Sequence, residues 1–119
     1  MYTDGSHKDG KAGYGIFFGK GDCRNVSRRV DSGEQTITRA EMMAIRETLV
    51  MYPRDAPLTI LSDSETCLKN IKKWTSPYTK GSIHKVPHKD LIKEITNILA
   101  ERSRITKTSL IKVRAHKGV

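Results

Sequence analysis

Three short apolar runs separated by glycine turns come first, and helical periodicity begins only near Thr38; this order admits few architectures. Met1–His7 reads as the end of a strand, Lys8-Asp9-Gly10 as a turn, and Tyr14–Phe18 as a second strand hairpinned to the first. Gly19-Lys20-Gly21-Asp22 gives another turn, and Cys23–Val30 a third, partly exposed strand ended by Asp31-Ser32-Gly33. From Thr38 to Tyr52 strong helix formers prevail and Pro53 closes the segment, with Glu41, Ile45, Leu49 and Tyr52 on one face. Leu58–Leu61, bounded by Pro57, is a fourth strand, and Leu68, Ile71 and Trp74 mark a short second helix. Residues 75–87 read as a loop, Leu91, Ile92, Ile95, Ile98 and Leu99 as an amphipathic helix, and Ser109–Arg114 as a fifth strand. Strands first and helix–strand alternation afterwards predict an α/β fold: a five-stranded mixed sheet, three antiparallel strands then two parallel, flanked by helices. At 119 residues this is expected to be a single domain, 1–119, with one core.

An apolar fraction of 36% with 29% charged residues is that of a folded domain rather than a disordered tail. No apolar stretch approaches the roughly 18 residues that cross a bilayer, and the start has no signal-peptide pattern, so an intracellular chain with no membrane partner is expected, in cytoplasm, nucleus or virion. Cys23 and Cys67 lack the spacing of a zinc site and read as two buried free thiols in a reducing compartment. The net charge of +9 is uneven: residues 1–74 carry 12 Lys/Arg against 10 Asp/Glu, and residues 75–119 carry 10 against 3. A polyanion is the partner that such a balance favours.

Three acidic residues fall where chemistry is usually done. Asp4 ends the first strand, Glu41 lies on the inward stripe of the first helix, and Asp63 ends the fourth strand. Each has an ordinary structural reading: Asp4 as a turn residue, Glu41 as the end of a Thr38-x-x-Glu41 capping box, Asp63 or Ser64 as the cap of the next helix. Taken together they converge, because an open α/β topology brings the ends of strands one and four to one edge where ligands bind. Converging carboxylates repel unless a cation lies between them. Oxygen ligands without His or Cys suit Mg²⁺, with Mn²⁺ as a substitute, and point to phosphoryl-transfer chemistry, in which two ions activate the water and stabilise the leaving oxygen.

The motifs Tyr2-Thr3-Asp4-Gly5-Ser6, Thr36-x-x-Arg39-Ala40-Glu41, Leu61-Ser62-Asp63-Ser64 and Val113-Arg114-Ala115-His116 stand in the order and spacing of the ribonuclease H family, and the chain resembles that family over nearly its whole length. The resemblance implies the ribonuclease H sheet and endonucleolytic hydrolysis of the RNA strand of RNA–DNA hybrids, with Asp4, Glu41 and Asp63 as catalytic metal ligands. It makes His116 a catalytic histidine that aids product release or proton handling. It also implies a single, monomeric domain, either free-standing or joined to or bound by a reverse transcriptase. A strand-transfer domain of the transposase or integrase kind orders its carboxylates Asp, Asp, late helical Glu. Here Glu41 lies between the aspartates, and only Glu94 and Glu101 are late.

For hybrid binding, the backbone around Gly5 and Ser6, with Thr36 and Thr38, is placed to meet RNA 2′-hydroxyls. Lys69, Lys72, Lys73 and Trp74, then Tyr78, Lys80, His84 and Lys85, read as a basic rim with aromatic surface for the DNA strand. Trp74 is equally read as a core residue, because Ile71 and Trp74 share helical spacing. The sequence also departs from the family. It ends at Val119, before the final helix that carries a fourth carboxylate. Ile37 stands where many relatives have asparagine, Glu65 where they often have an amide, and Glu34 adds negative charge near a phosphate path. These departures leave an alternative, a catalytically impaired hybrid-binding or structural domain of a larger polymerase or retroelement protein.

Overall fold

The computed structural model describes residues 1–31, 33–76, 78–79, 81–83 and 86–114. Strands β1 (Tyr2–Lys8), β2 (Lys11–Phe17) and β3 (Val26–Arg29) are followed by α1 (Ile37–Met51), β4 (Leu58–Ser62), α2 (Glu65–Thr75), α3 (Lys89–Ser103) and β5 (Thr108–Lys112). The sheet order is β3-β2-β1-β4-β5, with β1–β2 and β2–β3 antiparallel and β1–β4 and β4–β5 parallel. This is the expected five-stranded mixed sheet. None of the described helices is long and apolar enough to cross a membrane.

The β1–β2 hairpin turns on two residues, Asp9 and Gly10, both at positive φ (53° and 76°). Asp-Gly is the pair that tolerates this conformation, whose twist matches the flanking strands. β3 is shorter than the sequence suggests. Asn25 accepts the Phe18 N–H and donates to the Gly19 carbonyl, and Asp22 accepts the Arg24 N–H, so Cys23–Asn25 are spent on the turn. Cys23 is exposed and only Cys67 is buried, which corrects the expectation of two buried thiols. Burial pushes the Cys67 thiol up to about 11, leaving it an inert core residue.

The period-2 alternation of β2, with Ala12, Tyr14 and Ile16 buried and Phe17 exposed, fixes which face receives the helices. There Ile16 and Ile60 meet Met42, Ile45 and Leu49 of α1, Ile71 of α2 and Ile92 and Ile95 of α3 in one core. Two buried arginines tie this layer together. Arg102, with no exposed surface, donates to the carbonyls of Pro53 and Ala56 and to Thr108 Oγ1, clamping the α1–β4 loop to β5. Arg39 makes a fork–fork pair with Asp90 at 2.8 and 3.2 Å and so joins the start of α1 to the start of α3.

Candidate active site

β1 pairs with β4 only through Tyr2↔Leu61 and Thr3↔Ser62. Past Ser62, β4 gives way to the turn into α2, so β1 continues without that neighbour and a notch opens between them. Three side chains enter this notch from different elements. Asp4, expected at the end of the first strand, instead lies within β1, one residue past its last pairing with β4, and comes from the exposed face; Asp63 comes from the end of β4, and Glu41, buried, comes from α1 beneath. Their carboxylate oxygens lie within 4.8 Å of one another.

Local chemistry leaves Glu41 and Asp63 available for this meeting. The cap of α1 is Thr36, whose hydroxyl accepts the Arg39 N–H at 3.2 Å, so the Thr38–Glu41 capping box does not form. The helix begins two residues before the boundary that box requires, and Glu41 is left to point at the sheet. Ser64 caps α2 by accepting the Cys67 N–H, which leaves Asp63 uncommitted to the helix. Gly5 supplies the remaining element. Its N–H donates to Glu41 Oε1 at 3.0 Å, and a Cβ there would lie 3.0 Å from Glu41 Cγ.

Glu41 Oε2 is buried with no hydrogen-bond partner among the described residues. Burial, and next the negative charge of Asp63, push the Glu41 carboxyl up to about 8; the Gly5 N–H opposes the shift and Asp4 adds to it. An orphaned buried oxygen facing two further carboxylates is what a hard divalent cation relieves, and the all-oxygen donor set fits Mg²⁺ or Mn²⁺.

The other candidate residues are placed as follows. Ser6 is exposed, with its hydroxyl donating to the Gly13 carbonyl at 3.4 Å, and Thr38 is half-buried at the start of α1. Lys72 and Lys73 are exposed on α2, about 10 to 12 Å along the helix from its start at 1.5 Å per residue. Trp74 is half-buried against the core, with Lys73 Nζ 5.4 Å from the centre of its ring. His116, with Lys80, His84 and Lys85 of the basic rim, lies outside the described residues. Sequence reasoning missed the Gly5 N–H as the partner of Glu41; the Asp4-Gly5 step was the available signal, read only as a turn or a substrate contact.

The sequence model of the ribonuclease H family matches residues 1–119. Ribonuclease H of Schizosaccharomyces pombe is 34% identical over 98% of this chain, which covers 46% of that protein. Ribonuclease HI of Helicobacter pylori is 26% identical over 99% of this chain, covering 80% of that protein, and ribonuclease H of Pseudomonas aeruginosa is 30% identical over 67%, covering 55%. The chain thus spans about half the length of the Schizosaccharomyces pombe relative.

Proposed function

Because this chain belongs to the ribonuclease H family, we propose that it cuts the RNA strand of RNA–DNA hybrids by metal-assisted hydrolysis at Asp4, Glu41 and Asp63. The observation that carries this reading is the meeting of the three carboxylates within 4.8 Å around the unpartnered Glu41 Oε2. Asp4, Glu41 and Asp63 would together hold two Mg²⁺ or Mn²⁺ ions. When bound, such ions supply a more acidic water and charge neutralisation at the scissile phosphate.

The chain's own contribution is geometry and charge. The Gly5 N–H fixes one oxygen of Glu41 and directs the other into the notch. Burial of Glu41 keeps that oxygen out of water, so its attraction to a cation is only weakly screened. Gly5 and Ser6 of β1, with Thr36 and Thr38 at the start of α1, would meet RNA 2′-hydroxyls, the groove being read by shape more than sequence. Lys72 and Lys73 would neutralise DNA-strand phosphates, with Trp74 beside them. His116 would serve product release or proton handling.

The test is a labelled RNA–DNA hybrid and the matching RNA duplex, each incubated with the chain in Mg²⁺ and in Mn²⁺, beside Asp63→Asn. Cleavage of the RNA strand of the hybrid alone, lost by at least a hundredfold in Asp63→Asn, is the expected result. Binding of hybrid without cleavage in either metal would overturn the enzymatic reading in favour of a hybrid-binding domain.

A further inference from the structure

A groove of about 1040 Å³ runs between the C-terminal halves of α2 and α3 and the edge of β5. Its apolar walls include Trp74, Leu99, Leu110 and Ile105, the last 62% exposed. Its charged members are Lys72, Arg104 and Lys107, with no Asp or Glu among the lining residues. The groove lies at the other end of the sheet from the carboxylates. Thr108 is paired with Leu58, five residues and roughly 17 Å along the chain from Asp63 at about 3.3 Å per residue.

Beside the groove runs a strand edge that is open among the described residues. β5 is the last strand of the sheet, with β4 on one side and no strand on the other among the described residues. The Leu58 N–H donates to the Lys107 carbonyl at 3.1 Å, and the Val113 N–H to the Ser62 carbonyl at 2.9 Å. In a parallel ladder alternate residues turn their backbone groups to the partner, so Lys107, Ser109, Ile111 and Val113 face β4. Thr108, Leu110 and Lys112 therefore turn N–H and C=O outward. Thr108 and Leu110 are also groove residues, so the free edge and the apolar recess form one continuous surface.

We propose that this surface docks an extended acidic–apolar segment of a partner protein, which adds to β5 as a sixth strand. Its backbone pairs with Thr108, Leu110 and Lys112, alternate apolar side chains enter between Trp74 and Leu110, and its carboxylates meet Arg104 and Lys107. Strand addition to an open edge draws affinity from the main chain and specificity from side-chain pockets. The charge of the rim selects the occupant. A second copy of this chain, at +9, would bring Lys107 and Lys112 of its own β5 against the same residues. A nucleic acid has no peptide backbone to satisfy the outward N–H and C=O groups.

The probe is a fluorescein-labelled octapeptide alternating valine and glutamate, titrated onto the full chain by anisotropy while amide exchange is followed at β5. Controls are the valine–lysine peptide and a valine–glutamate peptide N-methylated at alternate positions. The expected result is at least tenfold tighter binding of the acidic peptide than of either control, with slowed exchange at Thr108, Leu110 and Lys112. Exposed Arg104 and Lys107 can be changed without opening the core, and Arg104→Glu with Lys107→Glu is expected to weaken the peptide at least tenfold while leaving metal-dependent activity unchanged. Equal binding of the lysine or N-methylated peptide, absence of binding, exchange protection elsewhere, displacement by single-stranded DNA from a chain carrying Lys72→Ala and Lys73→Ala, or self-association through β5 in sedimentation would each overturn the proposal.

Discussion

Glu41→Gln separates what the fold prefers from what the site needs. The Glu41 carboxyl is held at about 8 against an ordinary 4.5, first by burial and then by the charge of Asp63. The folded chain therefore binds this proton more tightly than the unfolded chain. That contribution to stability is intact below pH 4.5 and is lost as the pH rises through about 8. At pH 7 the unfolded carboxyl is ionised and must take up a proton on folding, which costs about 3 kcal/mol at 1.36 kcal/mol per pH unit. An amide of the same shape never ionises. Metal-free Glu41→Gln is thus expected to be more stable than the parent at pH 7 by about 3 kcal/mol, near 10 °C in Tm for a chain of this length. The gap should close by pH 4.

The assay is thermal unfolding followed by circular dichroism in EDTA from pH 4 to pH 8, repeated in Mg²⁺. A cation in the notch favours three ionised carboxylates, so Mg²⁺ at a hundred times its Kd is expected to stabilise the parent by about 2.7 kcal/mol and the variant by much less. A difference in Tm that does not change with pH would refute the argument that burial and Asp63 hold the proton on Glu41. Equal stabilisation of both proteins by Mg²⁺ would refute the placement of the cation.

Gly5→Ala puts a methyl 3.0 Å from Glu41 Cγ and 3.1 Å from the Ile37 carbonyl, and is expected to cost about 1–3 kcal/mol in urea unfolding and to lower hybrid cleavage, whereas Ser6→Ala leaves stability nearly unchanged. Arg102→Met leaves the Pro53 and Ala56 carbonyls without their buried donor and is expected to cost about 3–5 kcal/mol, with Arg102→Lys only partly restoring it because one ammonium lacks the guanidinium fork. Lys72→Ala with Lys73→Ala is expected to flatten the salt dependence of hybrid binding by about one to two charges; an unchanged slope would remove these lysines from the phosphate path.

Element order and type were legible because they rest on local signals. The apolar run Tyr14–Phe18, the Asp9-Gly10 turn and the stop at Pro53 each act within a few residues, and a strand, a hairpin turn and a helix end stand there, the strand starting earlier, at Lys11. Boundaries failed where a side chain competed with the ladder. Asn25 and Asp22 took the hydrogen bonds that would have extended β3 toward Cys23. The capping box failed for a similar reason: Thr36 and Thr38 both offer a cap, and nothing within the helix says which is used. What decides is Glu41, which as a capping residue would be withdrawn from the notch but as placed accepts the Gly5 N–H across 36 residues.

That same long-range logic explains why the carboxylate cluster was readable while the buried arginines were not. Asp63 sits at the end of β4 and Asp4 inside β1, one residue past its last pairing with β4, and the topology that places β1 beside β4 follows from the order of elements, so their convergence can be argued without knowing a single contact. Arg39 and Arg102 are buried charges on helices, and in a sequence they resemble solvated surface residues. Their burial is tolerable only because Asp90, 51 residues away, and the Pro53 and Ala56 carbonyls, 49 and 46 residues away, complete their hydrogen bonds. A neighbour at that separation leaves no periodicity. The consequence is functional as well as structural: Arg39 stands two residues before Glu41 and locks the first turn of α1 to α3, so the notch is framed by a contact that only the folded chain contains.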